Sequence, residues 1–298
     1  DDAAAILLAL ALEEKMKNDG FEIIAITCTY GNTALPNVER NVMKTLTIAN
    51  RTDIPVYTGV SKPLMKNFTL DYYFGADGLG DIDWGEEITA SIDRTKHASV
   101  ALVDLARAHA GNISVMALGP LTNIAIAIAL DPNFVDNVKR LYVMGASVPE
   151  LGKSPRHEEF NFSQDPASNY IVLTSMRGLP VILLPWETSI APRIPMEWRK
   201  NVLGAVDSRI IKFLNKVEHR HFARPRWELP DLILAAIALQ PELIVRSLLT
   251  NVTPVVEGPA RGSVEVDFYG RSGRNKNVII VGAFDVDGFK QMLLDAYA

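Results

Sequence analysis

Short segments that are hydrophobic on both faces alternate along this chain with segments of helical periodicity, and this alternation limits the possible folds most. Residues 21–30 are β-branched and mostly apolar, and they follow a helical segment at 3–17. Strands that are buried on both faces and separated by helices are typical of βαβ units around a parallel sheet. Further helices are predicted at 36–50, 98–110, 121–130, 165–176, 231–239 and 286–297, and further strands at 55–59, 113–119, 141–145, 180–185, 253–257, 263–269 and 278–284. The expected fold is a single large α/β domain over residues 1–298, with a mainly parallel, Rossmann-like sheet flanked by helices.

The composition excludes several classes of protein. Apolar residues make up 48% of the 298 positions, enough for a sizeable core. The chain has 30 Lys and Arg against 35 Asp and Glu, and this net charge of -5 argues against partners such as nucleic acid or an anionic membrane surface. The longest apolar run, at 3–12, is about half the length of a membrane span. A single cysteine, Cys28, excludes an intrachain disulfide and a cysteine-based zinc site.

Glycosylation sequons give a weak indication of the compartment. About one or two would be expected from composition, and the chain has more, at Asn50, Asn67, Asn112, Asn161 and Asn251. This excess slightly favours a secreted protein over a cytoplasmic one. Because the sequence opens on Asp1 rather than methionine, it does not show whether a targeting signal is used.

Polar or glycine-bearing loops follow several of the predicted strands. They lie at 30–33 (YGNT), 118–123 (LGPLTN) and 144–146 (MGA), and the stretches 60–96 and 148–164 are too long to be simple connections. In open parallel sheets, ligands bind in the loops at the carboxyl ends of the strands. A ligand site is therefore expected at this edge of the sheet.

Acidic residues begin two of the predicted helices. Asp1 and Asp2 open the first helix, and Asp231 follows Pro230 at the start of another. These carboxylates could simply cap helix ends, or they could bind a hard cation such as Ca²⁺. Phosphate-binding glycine loops, GxSxG and HExxH are absent from the sequence. The pair His219-x-His221 is interpreted as surface residues.

Three motifs follow one another in the second and third quarters of the chain: ALGPLTN at 117–123, EFN at 159–161 and DP at 165–166. This series resembles the nucleoside hydrolase family and is highly specific for it, and the similarity is strongest to the animal or insect branch of that family. The other matching motifs are DDA at 1–3, TYGN at 29–32, RTDIPV at 51–56, DGLGD at 77–81, VMG at 143–145 and the helix that begins with Asp231. Together they cover nearly the whole chain in the family's order.

The resemblance implies a fold, a reaction and a metal ion. The reaction would be hydrolysis of the N-glycosidic bond of small-molecule ribonucleosides to base and ribose, in a homo-oligomer of two or four subunits. A Ca²⁺ ion would be bound by Asp2, Asp231 and the main-chain carbonyl of Leu118. The ion would lower the pKa of the attacking water, and carboxylates around the sugar would stabilise an oxocarbenium-like transition state.

The resemblance also implies a set of ribose contacts. Asp1 and Asn161 would be the catalytic residues of the given chain, and the sugar would be held by Asp1, Asn32, Glu159, Asn161 and Asp231, with Met144 lining the pocket. Because both vicinal hydroxyls would be paired, 2′-deoxynucleosides should be rejected strongly.

The chain departs from the family at three places. The opening DxDxGxDD is incomplete, so the strand that should run into the first helix, and the general-base aspartate four positions before Asp1, are expected upstream of residue 1. Pro230 replaces a histidine of pyrimidine-tolerant members. A ribose-binding asparagine falls on Gly152 or Lys153.

Pro230 cannot donate a proton to the leaving base, and this favours purines, which stack well and can be protonated at N7. Candidates for stacking on the base are Phe74, Tyr73, Trp227 and Phe222. The alternative interpretation is a catalytically silent nucleoside- or ribose-binding protein on the same fold.

Overall fold

A computed structural model describes residues 1–16, 20–65, 68–151, 158–176 and 180–298, and helices alternate with strands over most of this length. The helices are α1 (Asp2–Lys15), α2 (Leu35–Ala49), α3 (Ala98–Ala108), α4 (Thr122–Leu130), α5 (Phe134–Asn137), α6 (Phe160–Gln164), α7 (Pro166–Ser175), α8 (Trp186–Ile190), α9 (Met196–Asn201), α10 (Arg209–Val217), α11 (Pro230–Leu239) and α12 (Val286–Tyr297). The strands are β1 (Ile26–Thr27), β2 (Val56–Tyr57), β3 (Ile113–Ala117), β4 (Val138–Met144), β5 (Val181–Leu184), β6 (Ile244–Thr250), β7 (Val252–Pro254), β8 (Val264–Val266) and β9 (Val278–Phe284).

The central sheet has the predicted, mainly parallel arrangement. Its strand order is β3-β4-β5-β9-β6, in which the first four strands run parallel and β6 is antiparallel to β9. A separate parallel pair is formed by β1 and β2, and β7 pairs antiparallel with β8. The predicted α/β class is confirmed.

Helices cover both faces of the sheet. Along β4, Tyr142 and Met144 pack into a core with α1, α11 and α12, whereas Leu141 and Val143 pack into a second core with α3, α4 and α7. This alternation follows from the two-residue period of a strand. Strands buried on both faces explain why these segments are almost continuously apolar.

A deep trough separates the small β1-β2 pair from the central sheet. Among the described residues, β1 pairs with β2 alone and β3 with β4 alone, so each has one edge without a strand neighbour. One cavity of about 1250 Å³ is lined by both strands and extends to Asp1 at the start of α1. The trough therefore lies between the free edges of β1 and β3, and it reaches the start of α1.

Some elements differ from the prediction. β1 is shorter than the predicted segment 21–30, although Cys28 N–H and Tyr30 N–H still donate to the carbonyls of Tyr57 and Val60, at 2.9 and 3.1 Å. The sequence did not predict α8, α9, α10 or the edge strand β6. No helix in the described parts of the chain is both long and apolar enough to cross a membrane.

Candidate active site

Three aspartates from opposite ends of the chain meet at the floor of the large cavity. Asp1, Asp2 and Asp231 each present a carboxylate oxygen within 4.8 Å of the other two. Asp1 and Asp2 begin α1, and Asp231 lies in the first turn of α11. The two helices pack against each other, and Ala4, Leu8, Leu232 and Ala235 belong to the same buried core. This packing aligns their N-termini and brings the carboxylates together.

The helix-capping interpretation does not account for these carboxylates. Neither the Asp1 side chain at the start of α1 nor any side chain at the start of α11 makes a capping hydrogen bond. Oδ1 of Asp231 is buried and has no hydrogen-bond partner among the described residues. A buried carboxylate oxygen without a partner is costly unless another group compensates its charge.

The raised pKa values of two of these aspartates favour a cation at the cluster. Burial, followed by the nearby carboxylate of Asp2, raises the pKa of Asp231 well above its ordinary value. Surrounding protein atoms also raise the pKa of Asp2, although its side chain opens to the cavity. In the described residues no lysine or arginine side chain forms an ion pair with any of the three aspartates. The cluster is therefore suited to a divalent cation.

The carboxyl ends of β3 and β4 line the same cavity, and the side chain of Asn161 connects them. Asn161 Nδ2 donates to the carbonyl of Leu118 at 2.9 Å and to the carbonyl of Met144 at 3.3 Å. Both strands are parallel, so their carboxyl ends lie at the same edge of the sheet. Asn161 and Leu118, separated in sequence, are thus brought together at the cavity.

Glu159 is held in a nest of backbone N–H groups. Its Oε1 accepts from Asn161 N at 2.8 Å, and its Oε2 accepts from Phe162 N at 3.0 Å and Ala146 N at 3.1 Å. Burial raises the pKa of Glu159 to about 7, and the three N–H groups act in the opposite direction by favouring the carboxylate. The side chain lines the cavity as the N-cap of α6.

The turn after β4 requires a glycine. A Cβ on Gly145 would lie 2.4 Å from the ring of Phe162 and 3.2 Å from Oε2 of Glu159. The next residue, Ala146, has a left-handed φ of 67° and uses its N–H to hold Glu159. The motif VMG therefore matters because it lets the strand end approach the α6 segment closely.

Asn32 connects the end of the first strand segment to a loop over the cavity. Its Nδ2 lies 3.1 Å from each carboxylate oxygen of Asp71, and Asp71 Oδ1 accepts from Tyr73 N at 3.0 Å. Asn32, Asp71, Tyr73 and Phe74 all line the cavity. Sequence reasoning did not identify Asp71, because a single aspartate in a long polar loop carries no local signal.

An aromatic and cationic cluster borders the cavity at Tyr73 and Phe74. The ring of His221 lies 5.1 Å from that of Tyr73 and 5.5 Å from that of Phe74, and the Arg224 guanidinium lies 4.5 Å above the Tyr73 ring. Burial and the nearby Arg224 lower the pKa of His221. Of the pair interpreted as surface residues, His219 is exposed and His221 is half-buried against these rings.

Trp227 and Phe222 do not line this cavity in the structure. The Trp227 ring is buried in the core, 5.9 Å from Trp198 and 6.5 Å from Phe289, and its Nε1 donates to Glu218 at 2.8 Å. Phe222 borders a separate small cavity and lies under Arg199. The prediction that either residue stacks on a base is therefore not met: the Trp227 N–H is already bound to the buried Arg199–Glu218 ion pair.

The remaining predicted positions divide into two groups. Pro230 lines the cavity directly before Asp231, and Met144 is buried against Asn161. The positions Gly152 and Lys153 lie outside the described residues.

Glu158 and Glu228 add further carboxyl groups to the lining, which gives the cavity an acidic character suited to a cation and to a developing positive charge on a sugar.

Comparisons with known proteins agree with this geometry. The family model described as inosine-uridine preferring nucleoside hydrolase matches residues 1–291. The pyrimidine-specific ribonucleoside hydrolase RihA of Escherichia coli (strain K12) is 31% identical over 304 residues, covering 99% of this chain and 94% of that protein.

Solved structures show the same similarity. An inosine-guanosine nucleoside hydrolase superposes with a TM-score of 0.89 at 27% identity, over 100% of this chain and 96% of the other. A purine-preferring ribonucleoside hydrolase from Gardnerella vaginalis gives a TM-score of 0.82 at 25% identity, over 99% and 94% of the two chains. Together with the family match over nearly the whole length, these similarities identify the chain as a ribonucleoside hydrolase of the inosine-uridine preferring nucleoside hydrolase family.

Proposed function

We propose that this chain hydrolyses purine ribonucleosides in preference to pyrimidine ones, with a Ca²⁺ ion bound by Asp2, Asp231 and the Leu118 carbonyl. The observation that carries the metal assignment is the convergence of three carboxylates within 4.8 Å, with Oδ1 of Asp231 buried and unpaired. Ca²⁺ prefers carboxylate and carbonyl oxygens, which are the groups present. The ion, when bound, would lower the pKa of a water molecule and orient it toward the sugar.

The ribose would be bound by the polar groups that surround this cluster. Asp1, Asn32, Glu159 and Asn161 all line the cavity. A ribose hydroxyl can donate to the Asp1 carboxylate, and Asn161 can keep its bridge between the carbonyls of β3 and β4 while presenting its amide oxygen. As positive charge develops on the sugar ring, the carboxylates of Asp1 and Glu159 stabilise it.

Two features of the cavity support a purine preference: the lack of a proton donor at Pro230 and the aromatic rings of Phe74 and Tyr73. Pro230 has no side-chain proton donor, so the position before Asp231 cannot protonate a leaving pyrimidine. Phe74 and Tyr73 line the cavity and offer ring faces or edges to a base. Stacking favours the larger purine ring, which can also be protonated at N7 by solvent. RihA is named as pyrimidine-specific, so the base preference of this chain has to be measured directly.

A reducing-sugar assay tests the metal and the base preference together. The substrates are inosine, guanosine, adenosine, uridine and cytidine, each assayed with Ca²⁺ and with a chelator, and 2′-deoxyinosine serves as the sugar control. We expect purine turnover that the chelator abolishes and Ca²⁺ restores, with 2′-deoxyinosine nearly inert because a missing hydroxyl leaves buried polar groups unpaired.

Two variants separate the loss of the metal site from the general effect of removing a negative charge. Asp231→Asn should lose turnover, and Asp207→Asn, which changes an exposed aspartate paired with Lys212, should keep it. Uridine turnover equal to inosine turnover would contradict the purine preference. Full activity in the chelator would contradict the metal assignment. Nucleoside binding without any sugar release would instead favour the alternative of a catalytically silent binding protein.

A further inference from the structure

Thr122 and Asn123, the first two residues of α4, connect the two separately hydrogen-bonded sheets that border the cavity. No strand pairing in the described parts of the chain joins the β1-β2 pair to the central sheet. Asn32 follows the β1 segment, whereas Asn161 lies on α6 and bonds to the ends of β3 and β4. Because both residues line the same cavity, their separation depends on what connects the two sheets.

The buried side chain of Asn123 bonds to the backbone that follows each strand of the small pair. Its Nδ2 donates to the Cys28 carbonyl at 2.8 Å, and its Oδ1 accepts from the Val60 N–H at 3.1 Å. The backbone at Gly59 approaches so closely that a Cβ there would lie 2.3 Å from Asn123 Nδ2. One side chain of α4, the helix that follows β3, therefore ties the ends of β1 and β2 together and holds them to the central sheet.

Thr122 is the middle member of a buried chain of hydrogen bonds. Its Oγ1 donates to Asp165 Oδ2 at 2.7 Å, and the Tyr30 hydroxyl lies 3.3 Å from the same Oγ1. A threonine hydroxyl has one proton, so the Tyr30 hydroxyl must be the donor to Thr122. All three side chains are buried, and burial raises the pKa of Tyr30, which keeps its proton. Because a buried polar group without a partner is costly, the three side chains hold one another in place.

Asp165 completes the connection, because it ends α6 and begins α7. Its Oδ2 also accepts from the Leu64 N–H at 3.1 Å. Tyr30 lies two positions before Asn32, and Asp165 lies four positions after Asn161. The chain of hydrogen bonds thus links the segment that carries one proposed ribose contact to the helix that carries another.

We propose that Thr122 and Asn123 are positioning residues for the sugar: they hold Asn32 at the distance from Asn161 that a bound ribose requires. Thr122 is fully buried, and both polar atoms of Asn123 are used by backbone groups, so the two residues act through others and not on the substrate. The inference rests on the proposed ribose contacts. The three aspartates of the metal cluster lie on α1 and α11, so the affinity for Ca²⁺ should not depend on this connection.

Steady-state kinetics at saturating Ca²⁺, with the nucleoside that the reducing-sugar assay finds to be turned over fastest, test Thr122. Thr122→Val removes the hydroxyl and should raise the KM about tenfold, with a much smaller change in kcat, because Tyr30 and Asp165 lose their shared partner. Thr122→Ser keeps the hydroxyl and should restore the KM. The matched control is Thr250→Val, at a buried threonine of β6 whose hydroxyl donates to the Asp267 carbonyl at 2.5 Å.

The comparison of the two valine variants separates positioning from stability. A purely structural role of Thr122 would lower the stability of both variants and leave the KM of both unchanged, and this result would overturn the proposal for Thr122. The melting shift on addition of Ca²⁺ should be the same in Thr122→Val and Thr250→Val. A shift lost in Thr122→Val alone would show that the hydroxyl supports the metal cluster, which also contradicts the proposal.

An exchange of amide for carboxylate tests Asn123 in the same way. Asn123→Asp keeps an acceptor for the Val60 N–H but sets a carboxylate oxygen against the Cys28 carbonyl, so the KM should rise. The matched control is Asn277→Asp, because Asn277 Oδ1 accepts from the Val252 N–H at 2.8 Å and its Nδ2 donates to the Leu173 carbonyl at 2.8 Å. Equal KM values in these two variants would overturn the proposal for Asn123.

A double-mutant cycle identifies the route through Asn32. If Thr122 acts by placing Asn32, the double variant Asn32→Ala/Thr122→Val should have the same KM as Asn32→Ala alone. Additive effects on the KM would overturn this route. An unchanged KM in Asn32→Ala would contradict the proposed ribose contact itself, and the route through Asn32 with it. Failure of the inference alone is recognised by a KM that rises in Asn32→Ala and stays unchanged in Thr122→Val.

Discussion

Asp2 and Asp231 present carboxylate oxygens within 4.8 Å of each other although they begin the first and the eleventh helices. The two side chains raise each other's energy in the charged state, because burial and mutual repulsion raise the pKa of Asp231. Such a pair is accommodated either by a proton that neutralises one carboxylate or by a bound cation that compensates both charges. A substitution that removes one of the two charges therefore tests whether the pair binds a cation.

Neutralising one member of the pair should stabilise the protein without metal and abolish its response to metal. In a chelator, Asp231→Asn should melt at a higher temperature than the unmodified protein, because like-charge repulsion is removed. Addition of Ca²⁺ should raise the melting temperature of the unmodified protein and leave that of Asp231→Asn unchanged. Thermal melts with CaCl₂ or EGTA measure both effects. Asp207→Asn should behave as the unmodified protein does, and a calcium-induced shift in Asp231→Asn would refute the assignment.

The raised pKa of Glu159 should appear in the pH profile. With a pKa of about 7, Glu159 loses its charge as the pH falls from 8 to 6. The ionised form is the one that three backbone N–H groups bind and that can stabilise positive charge on ribose. We therefore expect kcat/KM to fall about tenfold per pH unit below the pKa at saturating Ca²⁺. Glu159→Gln cannot ionise, so its lower activity should lack this acid limb. The same limb in Glu159→Gln would assign the ionisation to another group.

The close approach at Gly145 should make this position intolerant of any side chain. Gly145→Ala would press a methyl group against the Phe162 ring, since a Cβ there lies 2.4 Å from ring atoms. Overpacking of this kind costs about 1–3 kcal/mol of stability, and we expect turnover to fall because the Glu159 contacts shift as well. Urea denaturation checks the stability. Gly31→Ala is the control, because a Cβ at Gly31 meets nothing within 4 Å. Equal stability of the two variants would contradict the packing argument.

Two aromatic substitutions should separate base binding from core packing. Phe74→Ala should raise the KM for inosine about tenfold, since stacking of a base on an aromatic ring contributes about 1–3 kcal/mol. Trp227→Ala should instead lower the free energy of unfolding by about 3–5 kcal/mol, because Trp227 fills the core. Steady-state kinetics and denaturation on both variants provide the comparison. If Phe74→Ala left the KM unchanged, Phe74 would not contact the base.

The sequence by itself determined the α/β class, because strands buried on both faces must be apolar throughout and their order with helices is visible along the chain. Its motifs also assigned Leu118, Glu159 and Asn161 to one site. The structure shows that Asn161 is hydrogen-bonded to both Glu159 and the Leu118 carbonyl, and the roles of the three residues stay predictions. The motifs placed these residues at the carboxyl edge of the sheet, where each follows a strand or begins a helix.

Other features depended on contacts between distant segments, which no local pattern records. Trp227 is an aromatic residue near a site motif, yet tertiary packing turns its ring into the core and binds its N–H to Glu218. His221 was interpreted as a surface residue, but its ring packs on that of Tyr73, which lies in a loop 148 positions earlier in the sequence. The edge strand β6 was missed because its exposed side chains lack the alternation of a half-buried strand. Only the fold decided these positions, since burial and pairing depend on which surfaces meet, and the meeting surfaces come from opposite ends of the chain.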